Sequence, residues 1–344
     1  MITEALKKLS KRENLDFGLT CSVMNQIATG GATVAQVAAF LTAMRIKGET
    51  VEEMSAAALI MKKYATKVDV QGDFIDIVGT GGDGASTFNI STASTFVCAA
   101  AGVKIAKHGS RSASGKIGSA DLLEALGVNL NTTAQQEKEI FNKTNLCFMF
   151  AQNHHPAMKF VAQARSEIGF RTFFNVLGPL VNPANAKKML LGVFSTDLCE
   201  PMAQTLLNTG VENAFVVCGM DGLDEATVCA DTLVCEVKNH KITKYKINPQ
   251  GFGLRLYCNE DLRSHSLEDN ISIIKGVLSG EIDGAKRDIV VFNSALGIYL
   301  AGRTNSLQDA VEMAQEVIDK GYAQNKLEEF IKATQEAGNV NDIG

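Results

Sequence analysis

A glycine-rich segment of the chain carries residue types that bind anions. Residues 76–92 read DIVGTGGDGASTFNIST and follow an apolar run, so a strand leads into them. Glycines let a turn present several backbone N–H groups to one anion, and the first turn of a following helix adds more. Asp83 is the exception, because a carboxylate there would hold a sugar hydroxyl or a metal-bound water, or only cap its own turn. The segment therefore predicts a phosphate-binding loop.

Two common nucleotide-binding motifs do not account for this loop. Gly79 to Gly84 fits the G-x-G-x-x-G pattern of dinucleotide-binding folds. Such folds need an acidic residue about 20 positions later for the ribose hydroxyls. Here the next predicted strand ends in Lys107 and His108. The ATP-binding P-loop needs Gly-Lys-Ser/Thr, and the loop has no lysine. Both NAD and ATP are therefore disfavoured as ligands.

A second cluster of cations, serines and glycines follows that next strand. Residues 107–119 read KHGSRSASGKIGS and lead into a predicted helix that begins at Ser119. Two consecutive strand–helix loops that both suit phosphate predict a ligand with phosphates at two ends. The alternative is a basic loop that is merely solvated.

A pair of adjacent carboxylates forms a third candidate element. Asp224 and Glu225 follow the apolar run AFVVC, which is typical of a buried strand. Mg²⁺ takes few protein oxygens and keeps waters and substrate oxygens, so such a pair beside phosphates suits it. Ligands of open α/β sheets bind at the carboxyl edge of the strands, where this pair is expected. Taken alone, an Asp-Glu pair is also common on solvated surfaces.

Composition and charge exclude several classes of protein. The chain has 344 residues, which suggests about two domains, and its net charge of −5 argues against a broad nucleic-acid-binding face. No run is long enough to cross a membrane, and the N-terminal segment lacks the apolar core of a signal peptide. The 8 cysteines are scattered without a CxxC pair, which predicts reduced thiols rather than a metal site. A cytoplasmic protein is expected.

Hydrophobic periodicity predicts an α/β fold with a helical N-terminal part. Residues 1–70 read as helices, and a capping box at Thr50–Glu53 begins one of them. After Gly72, β-rich runs alternate with helical stretches, which predicts a mostly parallel central sheet. Asn239-His240 marks a hairpin turn, and helices return from Ser266. We expect a small helical domain at 1–70 and a larger α/β domain at 71–344.

In order and approximate separation, these three elements resemble the anthranilate phosphoribosyltransferase family of tryptophan biosynthesis. The motifs NHHPAMKF at 153–160 and RTFFNVLGPLVNPA at 171–184 strengthen the resemblance, which spans nearly the whole chain. Related pyrimidine nucleoside phosphorylases place a Lys-His-Ser loop elsewhere and lack this Asp-Glu pattern. The resemblance implies a nucleoside-phosphorylase-like fold and a homodimer formed through the helical domain. A later helical segment near 165–185 is expected to join that domain, with the active site between the two domains.

The resemblance also implies a reaction and its participants. Anthranilate attacks phosphoribosyl pyrophosphate with Mg²⁺ present, and pyrophosphate leaves. Mg²⁺ would be held by Ser91, Asp224 and Glu225, and the acceptor by Gly79, Ser110 and Arg165, although Arg165 could be a plain exposed helical arginine. Donor-binding positions are Gly79, Gly82, Asp83, Thr87, Asn89, Ile90, Ser91, Thr92, Lys107, His108, Gly109, Ser110, Arg111, Ser112, Ala113, Ser114, Gly115 and Ser119.

No residue is assigned as an acid or base, because the aromatic amine is neutral and needs positioning more than deprotonation. Displacement at a sugar carbon passes through an oxocarbenium-like state, so proximity and stabilisation of the leaving charge, by Lys107 and Mg²⁺, should dominate. His108 could contact the acceptor. His154 and His155 either line the acceptor channel or cap a helix.

One departure from the family motif bears on the acceptor. The family usually has Lys-His-Gly-Asn-Arg, and this chain has Ser110 at the asparagine position. A hydroxyl is shorter than an amide and offers one donor rather than two. The contact could be water-bridged or weaker, or the acceptor could be another aromatic amine. The alternatives are therefore a same-fold phosphoribosyltransferase or nucleoside phosphorylase with another acceptor, or a non-catalytic relative that binds nucleic acid.

Overall fold

Four helices form the N-terminal part of the computed structural model, which describes residues 1–112 and 117–339. They are α1 (Ile2–Leu9), α2 (Phe17–Ala28), α3 (Val34–Lys47) and α4 (Val51–Lys63). Side chains cap three of them: Asp16 accepts from Leu19 N before α2, and capping boxes begin α3 and α4. The capping box predicted at Thr50 is therefore confirmed.

A sheet of seven strands follows in the described part of the chain. The strands are β1 (Ile75–Gly79), β2 (Ile105–Gly109), β3 (Leu146–Phe150), β4 (Lys188–Gly192), β5 (Asn213–Gly219), β6 (Thr232–Lys238) and β7 (Lys241–Ile247). Their order is β3-β2-β1-β4-β5-β6-β7, parallel from β3 to β5 and antiparallel at β6 and β7. The predicted mostly parallel sheet is confirmed.

Helices connect and cover these strands. They are α5 (Ile90–Ala100), α6 (Ser119–Ala125), α7 (Ala134–Thr144), α8 (Ala151–His154), α9 (Lys159–Ile168), α10 (Phe174–Leu177), α11 (Thr196–Asn208), α12 (Leu267–Ser279), α13 (Ala285–Leu300), α14 (Leu307–Asp319) and α15 (Tyr322–Asn339). Asn239 and His240 have φ of 51° and 57°, as the predicted hairpin turn between β6 and β7 requires. No helix in the described ranges is long and apolar enough to cross a membrane.

Alternate residues of the strands feed two separate hydrophobic cores. Ile75 and Ile77 of β1 face a core shared with α5 and α12–α15. Met189 and Leu191 of β4 face a second core, shared with α1–α4 and with α9–α11. Because both faces are covered, the parallel strands are mostly apolar, and the exceptions are the buried polar residues Asp76 in β1 and Lys107 and His108 in β2.

The strand order reverses at the centre of the sheet, and this places the site. After β1 the chain moves outward to β2 and β3, and it then returns to place β4 on the other side of β1. In open α/β sheets the carboxyl ends at such a switch point border a crevice that binds ligands. In the segment from α9 to α10, α9 packs against α2 and α3, and α10 packs against α4.

Candidate active site at the carboxyl edge of the sheet

Four neighbouring parallel strands end in glycine, at Gly109, Gly79, Gly192 and Gly219. A β-carbon on Gly192 would lie 1.7 Å from the carbonyl oxygen of Asp224, and one on Gly79 would lie 2.6 Å from Asp224 Oδ2. Such separations are far inside van der Waals contact, so only glycine lets the Asp224 loop close over these strand ends. The glycines therefore make room for the carboxylates at the edge of the sheet.

The glycine loop and the carboxylate pair are joined by hydrogen bonds. Gly81 N donates to Asp224 Oδ2 over 2.6 Å, and Ser91 N donates to Glu225 Oε1 over 3.1 Å. Gly81 and Gly82 have φ of 61° and 87°, a conformation that glycine adopts at low cost. Residues more than 130 positions apart in the chain thus meet in one place.

The electrostatics of this place suit a divalent cation. Desolvation, with a smaller contribution from the neighbouring Asp83, raises the pKa of Asp224 to about 6. Desolvation likewise raises the pKa of Glu225 well above its ordinary value, and Asp224 adds to the shift. Both residues remain partly open to solvent although protein atoms surround their carboxylates. A cation would relieve the repulsion between these carboxylates.

The oxygen ligands available at this site also match the coordination preferences of Mg²⁺. Within residues 1–112 and 117–339, no three His, Cys, Asp or Glu side chains are arranged to hold a metal by themselves. Asp224 and Glu225 therefore supply an incomplete set, which Ser91, water and a bound substrate could complete. Mg²⁺ is usually bound in this way, through one or two carboxylates plus substrate phosphates. The residues present fit the ion.

Lys107 lies inside the protein behind the carboxylates. Its side chain is buried, and Nζ donates a hydrogen bond to the carbonyl oxygen of Ile77 in β1. Desolvation lowers the pKa of Lys107, and Asp76 and Glu225 oppose that shift. Asp76 is itself buried and accepts hydrogen bonds from His108 N and Asn182 Nδ2. The Lys107 side chain is thus held in the interior within electrostatic range of Glu225.

The second predicted loop is partly described, and its basic side chain is engaged. Arg111 Nη1 lies 2.9 Å from Asp121 and 2.8 Å from Glu124, both on α6. Ser119 begins α6, and its hydroxyl donates to the carbonyl oxygen of Ser110 over 3.5 Å. Arg111 is therefore paired with acidic residues of the helix that follows its loop. The predicted donor-binding positions Ala113, Ser114 and Gly115 lie outside the described residues.

Asn89 ties the two loops together. Its Nδ2 donates to the carbonyl oxygen of Ile117 over 3.2 Å, and its Oδ1 accepts from Asn270 Nδ2 over 2.8 Å. Asn270 on α12 is buried and also accepts from Asn89 N. Sequence analysis missed Asn270, because a single asparagine in an amphipathic helix carries no distinguishing signal.

Of the residues predicted to bind the acceptor, Arg165 lies on α9, whereas Gly79 ends β1 and Ser110 follows β2. The guanidinium of Arg165, on α9, sits 5.9 Å above the ring of Phe174. His108 Nδ1 lies 3.1 Å from the carbonyl oxygen of Gly178, which can only accept, so Nδ1 carries the proton. His108 Nε2 lies 3.2 Å from His155 Nε2. Desolvation lowers the pKa of both histidines, to about 4 for His155, so both are neutral at pH 7.

His154 has a different setting from His155. Its Nδ1 lies 2.9 Å from the carbonyl oxygen of Thr66, and its Nε2 lies 2.9 Å from Glu137. The hydrogen bond and charge of Glu137 raise the pKa of His154 against the lowering effect of burial. Both ring nitrogens are therefore engaged in holding β3 and α8 to their surroundings. Neither histidine side chain caps α8 or the turn that follows it.

Comparison with known proteins decides the family. Residues 71–324 match the model of the glycosyl transferase family a/b domain, and residues 3–65 match its helical bundle domain. The anthranilate phosphoribosyltransferase of Endomicrobium trichonymphae is 49% identical over 98% of this chain and 100% of its own length. That of Ruminiclostridium cellulolyticum is 48% identical over 96% of this chain and 97% of its own length.

The chain belongs to the anthranilate phosphoribosyltransferase family. Solved structures agree with the sequence matches. The Thermus thermophilus anthranilate phosphoribosyltransferase superposes with a TM-score of 0.90 at 38% identity, covering 96% of this chain and 99% of that one. The Saccharomyces cerevisiae enzyme in complex with PRPP and Mg superposes with a TM-score of 0.88 at 28% identity, covering 97% and 98%. The family resemblance read from the sequence is thereby confirmed.

Within this family member, some predicted positions face inward. Ile90 and Thr92 are 1% exposed, so their side chains are closed off from a ligand. Thr87 pairs with Arg263 in an isolated bridge, which ties the glycine loop to the segment before α12. Gly82, by contrast, is exposed, and Asp83 is half-buried beside Asp224. The side chains of the loop therefore divide into a buried anchoring set and an accessible set.

Proposed function

We propose that this phosphoribosyltransferase family member transfers the phosphoribosyl group of 5-phosphoribosyl 1-pyrophosphate to the amine of anthranilate in tryptophan biosynthesis. The products are N-(5-phosphoribosyl)anthranilate and pyrophosphate. The observation that carries the proposal is the pair of hydrogen bonds from Gly81 N and Ser91 N to Asp224 and Glu225. They join an anion-binding turn to a carboxylate pair suited to Mg²⁺, which is the combination that a pyrophosphate ester requires.

In this proposal Asp224, Glu225 and Ser91 hold Mg²⁺. When bound, the ion supplies positive charge that neutralises the pyrophosphate oxygens. Gly79, Gly82 and Asp83 border the pyrophosphate and ribose, and Thr87 to Thr92 complete the donor site, with Ile90 and Thr92 contributing backbone atoms. Residues 107–115 and Ser119 form the second phosphate-binding segment. Arg111 would then exchange its α6 partners for phosphate or orient the loop through them.

The chain's own groups would act by position and charge. Displacement at the anomeric carbon breaks its bond to pyrophosphate, forms a bond to the amine nitrogen and releases one amine proton. Backbone N–H groups of the glycine loop and the Lys107 side chain stabilise the departing anion. Arg165 binds the carboxylate of anthranilate through two parallel hydrogen bonds and so aligns the ring. Ser110 lies beside His108 at the end of β2, where it would meet the acceptor.

The test is the loss of anthranilate fluorescence on mixing protein, phosphoribosyl pyrophosphate and Mg²⁺. We expect turnover that stops with EDTA and returns with Mg²⁺. Replacing Asp224 and Glu225 together by alanine should lower turnover roughly 100-fold or more, since charge stabilisation is lost. Circular dichroism and the melting temperature would verify that the variant is folded. Absence of turnover in the wild type would reject the function, and full activity of the folded variant would reject the metal assignment.

A different acceptor is the main competing function. Ser110 supports it, because this side chain replaces the amide that is usual in the family. The same assay with substituted anthranilates, other aromatic amines and nucleobases would detect it through pyrophosphate release. Turnover with another acceptor at least tenfold faster than with anthranilate would replace the proposal. Binding of single-stranded DNA in place of the phosphoribosyl donor would support the non-catalytic alternative.

The oligomeric state, the division into domains and the cellular location of the protein are also proposals. We propose a homodimer formed through the helical domain, and sedimentation would measure its mass. We propose residues 1–70 as that domain, joined by the segment near 165–185, and 71–344 as the α/β domain. The packing of α9 on α2 and α3 supports this division. A cytoplasmic location is proposed as well, and cell fractionation would test it.

A further inference from the structure

Arg171 links the glycine loop to the segment between α9 and α10. Its Nη2 donates to the carbonyl oxygen of Thr80 over 3.2 Å and to that of Gly81 over 3.0 Å. The guanidinium also lies against Gly82, where a β-carbon would fall 2.0 Å from Nη1. Gly82 therefore has a steric reason to be glycine besides its φ of 87°. The sequence motif that contains Arg171 supports the family resemblance but gives this arginine no role of its own.

The segment that carries Arg171 also contacts Phe194, which follows β4, and Phe40 of α3. The guanidinium lies 5.3 Å from the centre of the Phe194 ring, which follows β4. The next residues begin α10, where Thr172 N donates to Asn175 Oδ1 and Phe173 packs edge-on against Phe40 of α3. A shift of the glycine loop would therefore act on the segment before α10 through the hydrogen bonds of Arg171 to Thr80 and Gly81.

The same segment carries the candidate acceptor arginine. Arg165 lies six positions before Arg171, on α9, and its guanidinium sits over Phe174, three positions after Arg171. Burial lowers the pKa of Arg171, while Asp224 and Asp83 oppose that shift, so both carboxylates lie within electrostatic range of the guanidinium. Arg171 thus stands between the donor-side carboxylates and the element that would orient the acceptor.

We propose that Arg171 is a positioning residue that couples the donor loop to the acceptor side, so that each substrate strengthens binding of the other. The proposal rests on the function proposed above but assigns Arg171 no contact with either substrate. A donor that orders the carbonyl groups of Thr80 and Gly81 would fix Arg171, and through it α9 and Arg165. Coupling between two sites is reciprocal, so anthranilate would strengthen donor-site binding by the same factor.

The first experiment measures coupling by calorimetry, with Mg²⁺-pyrophosphate as a donor-site probe that permits no chemistry. We expect the probe to tighten anthranilate binding by a factor within the roughly 5–150-fold range usual for coupled sites. Arg171→Met should bring that factor to within about twofold of one, and Arg171→Lys should be intermediate, because it keeps charge but loses the planar fork. Arg303→Met, on an exposed arginine after α13, is the matched control.

A second readout does not depend on the identity of the acceptor. In the wild type, Mg²⁺-pyrophosphate should slow amide hydrogen exchange both in the glycine loop and in α9. In Arg171→Met it should slow exchange in the glycine loop alone. A purely structural role would lower the melting temperature and leave the pattern of protection unchanged.

The outcomes separate this inference from the proposed function. Wild-type turnover with anthranilate decides the function, whatever Arg171 does. Unchanged coupling and unchanged α9 protection in Arg171→Met, or in Arg171→Lys if the methionine variant does not fold, would overturn the role of Arg171. A wild type that turns over anthranilate but shows no coupling would overturn it too. Loss of both signals, with Arg303→Met unaffected, would support it.

Discussion

Ser110 is the residue at which this chain departs from its family on the acceptor side. Its hydroxyl donates to the carbonyl oxygen of Arg111 over 3.0 Å, and the side chain is exposed at the end of β2. The hydroxyl is thus used locally, within the loop, rather than being directed at another element. An amide at this position is longer and carries two donors that could reach a bound carboxylate.

We therefore predict that Ser110→Asn tightens anthranilate binding. One added net hydrogen bond contributes about 0.5–1.5 kcal/mol, which corresponds to roughly 2–10-fold in affinity. Calorimetry in the presence of Mg²⁺-pyrophosphate would measure it, with Ser110→Ala as the matched variant that removes the hydroxyl. Equal affinities for all three proteins would mean that the departure from the family motif is incidental to acceptor binding.

Arg165 is the second residue whose role can be measured alone. It is half-buried, and burial together with the neighbouring Arg171 lowers its pKa, so an acceptor carboxylate would relieve an unfavourable charge environment. We predict that Arg165→Ala raises the anthranilate KM roughly 10-fold or more, because the loss of even one charged hydrogen bond costs about 1.5–3 kcal/mol. Steady-state kinetics would show a far smaller change in the donor KM. Equal increases in both constants would contradict a role specific to the acceptor.

At the scale of elements, the glycines at the strand ends determine the position of the loop that carries Asp224 and Glu225. The pairing of Gly79 with Gly192 places two glycines side by side beneath the Asp224 loop. A methyl group on Gly192 would overlap the carbonyl oxygen of Asp224, so the loop would have to move away from β4. The position of the proposed metal ligands is thus set by the absence of side chains on Gly79 of β1 and Gly192 of β4.

Gly192→Ala should accordingly impair the site without unfolding the sheet. Overpacking of this kind costs about 1–3 kcal/mol of stability, and the displaced loop should raise the Mg²⁺ concentration needed for half-maximal activity several-fold. Titration of activity with Mg²⁺ and denaturant unfolding would measure the two effects. Gly251→Ala is the control, since nothing lies within 4 Å of a β-carbon there. An unchanged Mg²⁺ dependence in Gly192→Ala would contradict the steric explanation.

The elements themselves follow from local sequence, whereas their meeting points do not. Thr50 and Glu53 are three positions apart, and the hairpin at Asn239-His240 needs only its own two residues, so local patterns predict both. The carboxyl edge was predictable too, because each candidate loop directly follows a strand. The contacts of Arg171 with Gly81 and of Asn270 with Asn89 span 90 and 181 positions. Such contacts depend on packing of the whole chain, which no local pattern encodes.

At the scale of the whole molecule, the protein holds several titratable groups in the interior near the site. His108 and His155 are buried, and desolvation lowers the pKa of each, with a smaller lowering contribution from His154. Desolvation raises the pKa of Asp76 and of Asp224 to about 6. On acidification the unfolded chain gains protons at the two histidines, while the folded chain gains them at the acids. The two effects oppose each other, so the acid response of the wild type alone does not isolate either one.

The contribution of His155 can be isolated as a difference between two proteins. Its folded-state pKa of about 4 lies below the unfolded value of about 6.5, so its stabilising effect is present above pH 6.5 and is lost as the pH falls toward 4. We predict that the unfolding free energy of the wild type, minus that of His155→Asn, falls by up to about 1.4 kcal/mol per pH unit in that window. Urea unfolding from pH 7 to pH 4 in EDTA would measure it. A difference for His155→Asn that does not change with pH would contradict the assignment of this pH response to the burial of His155.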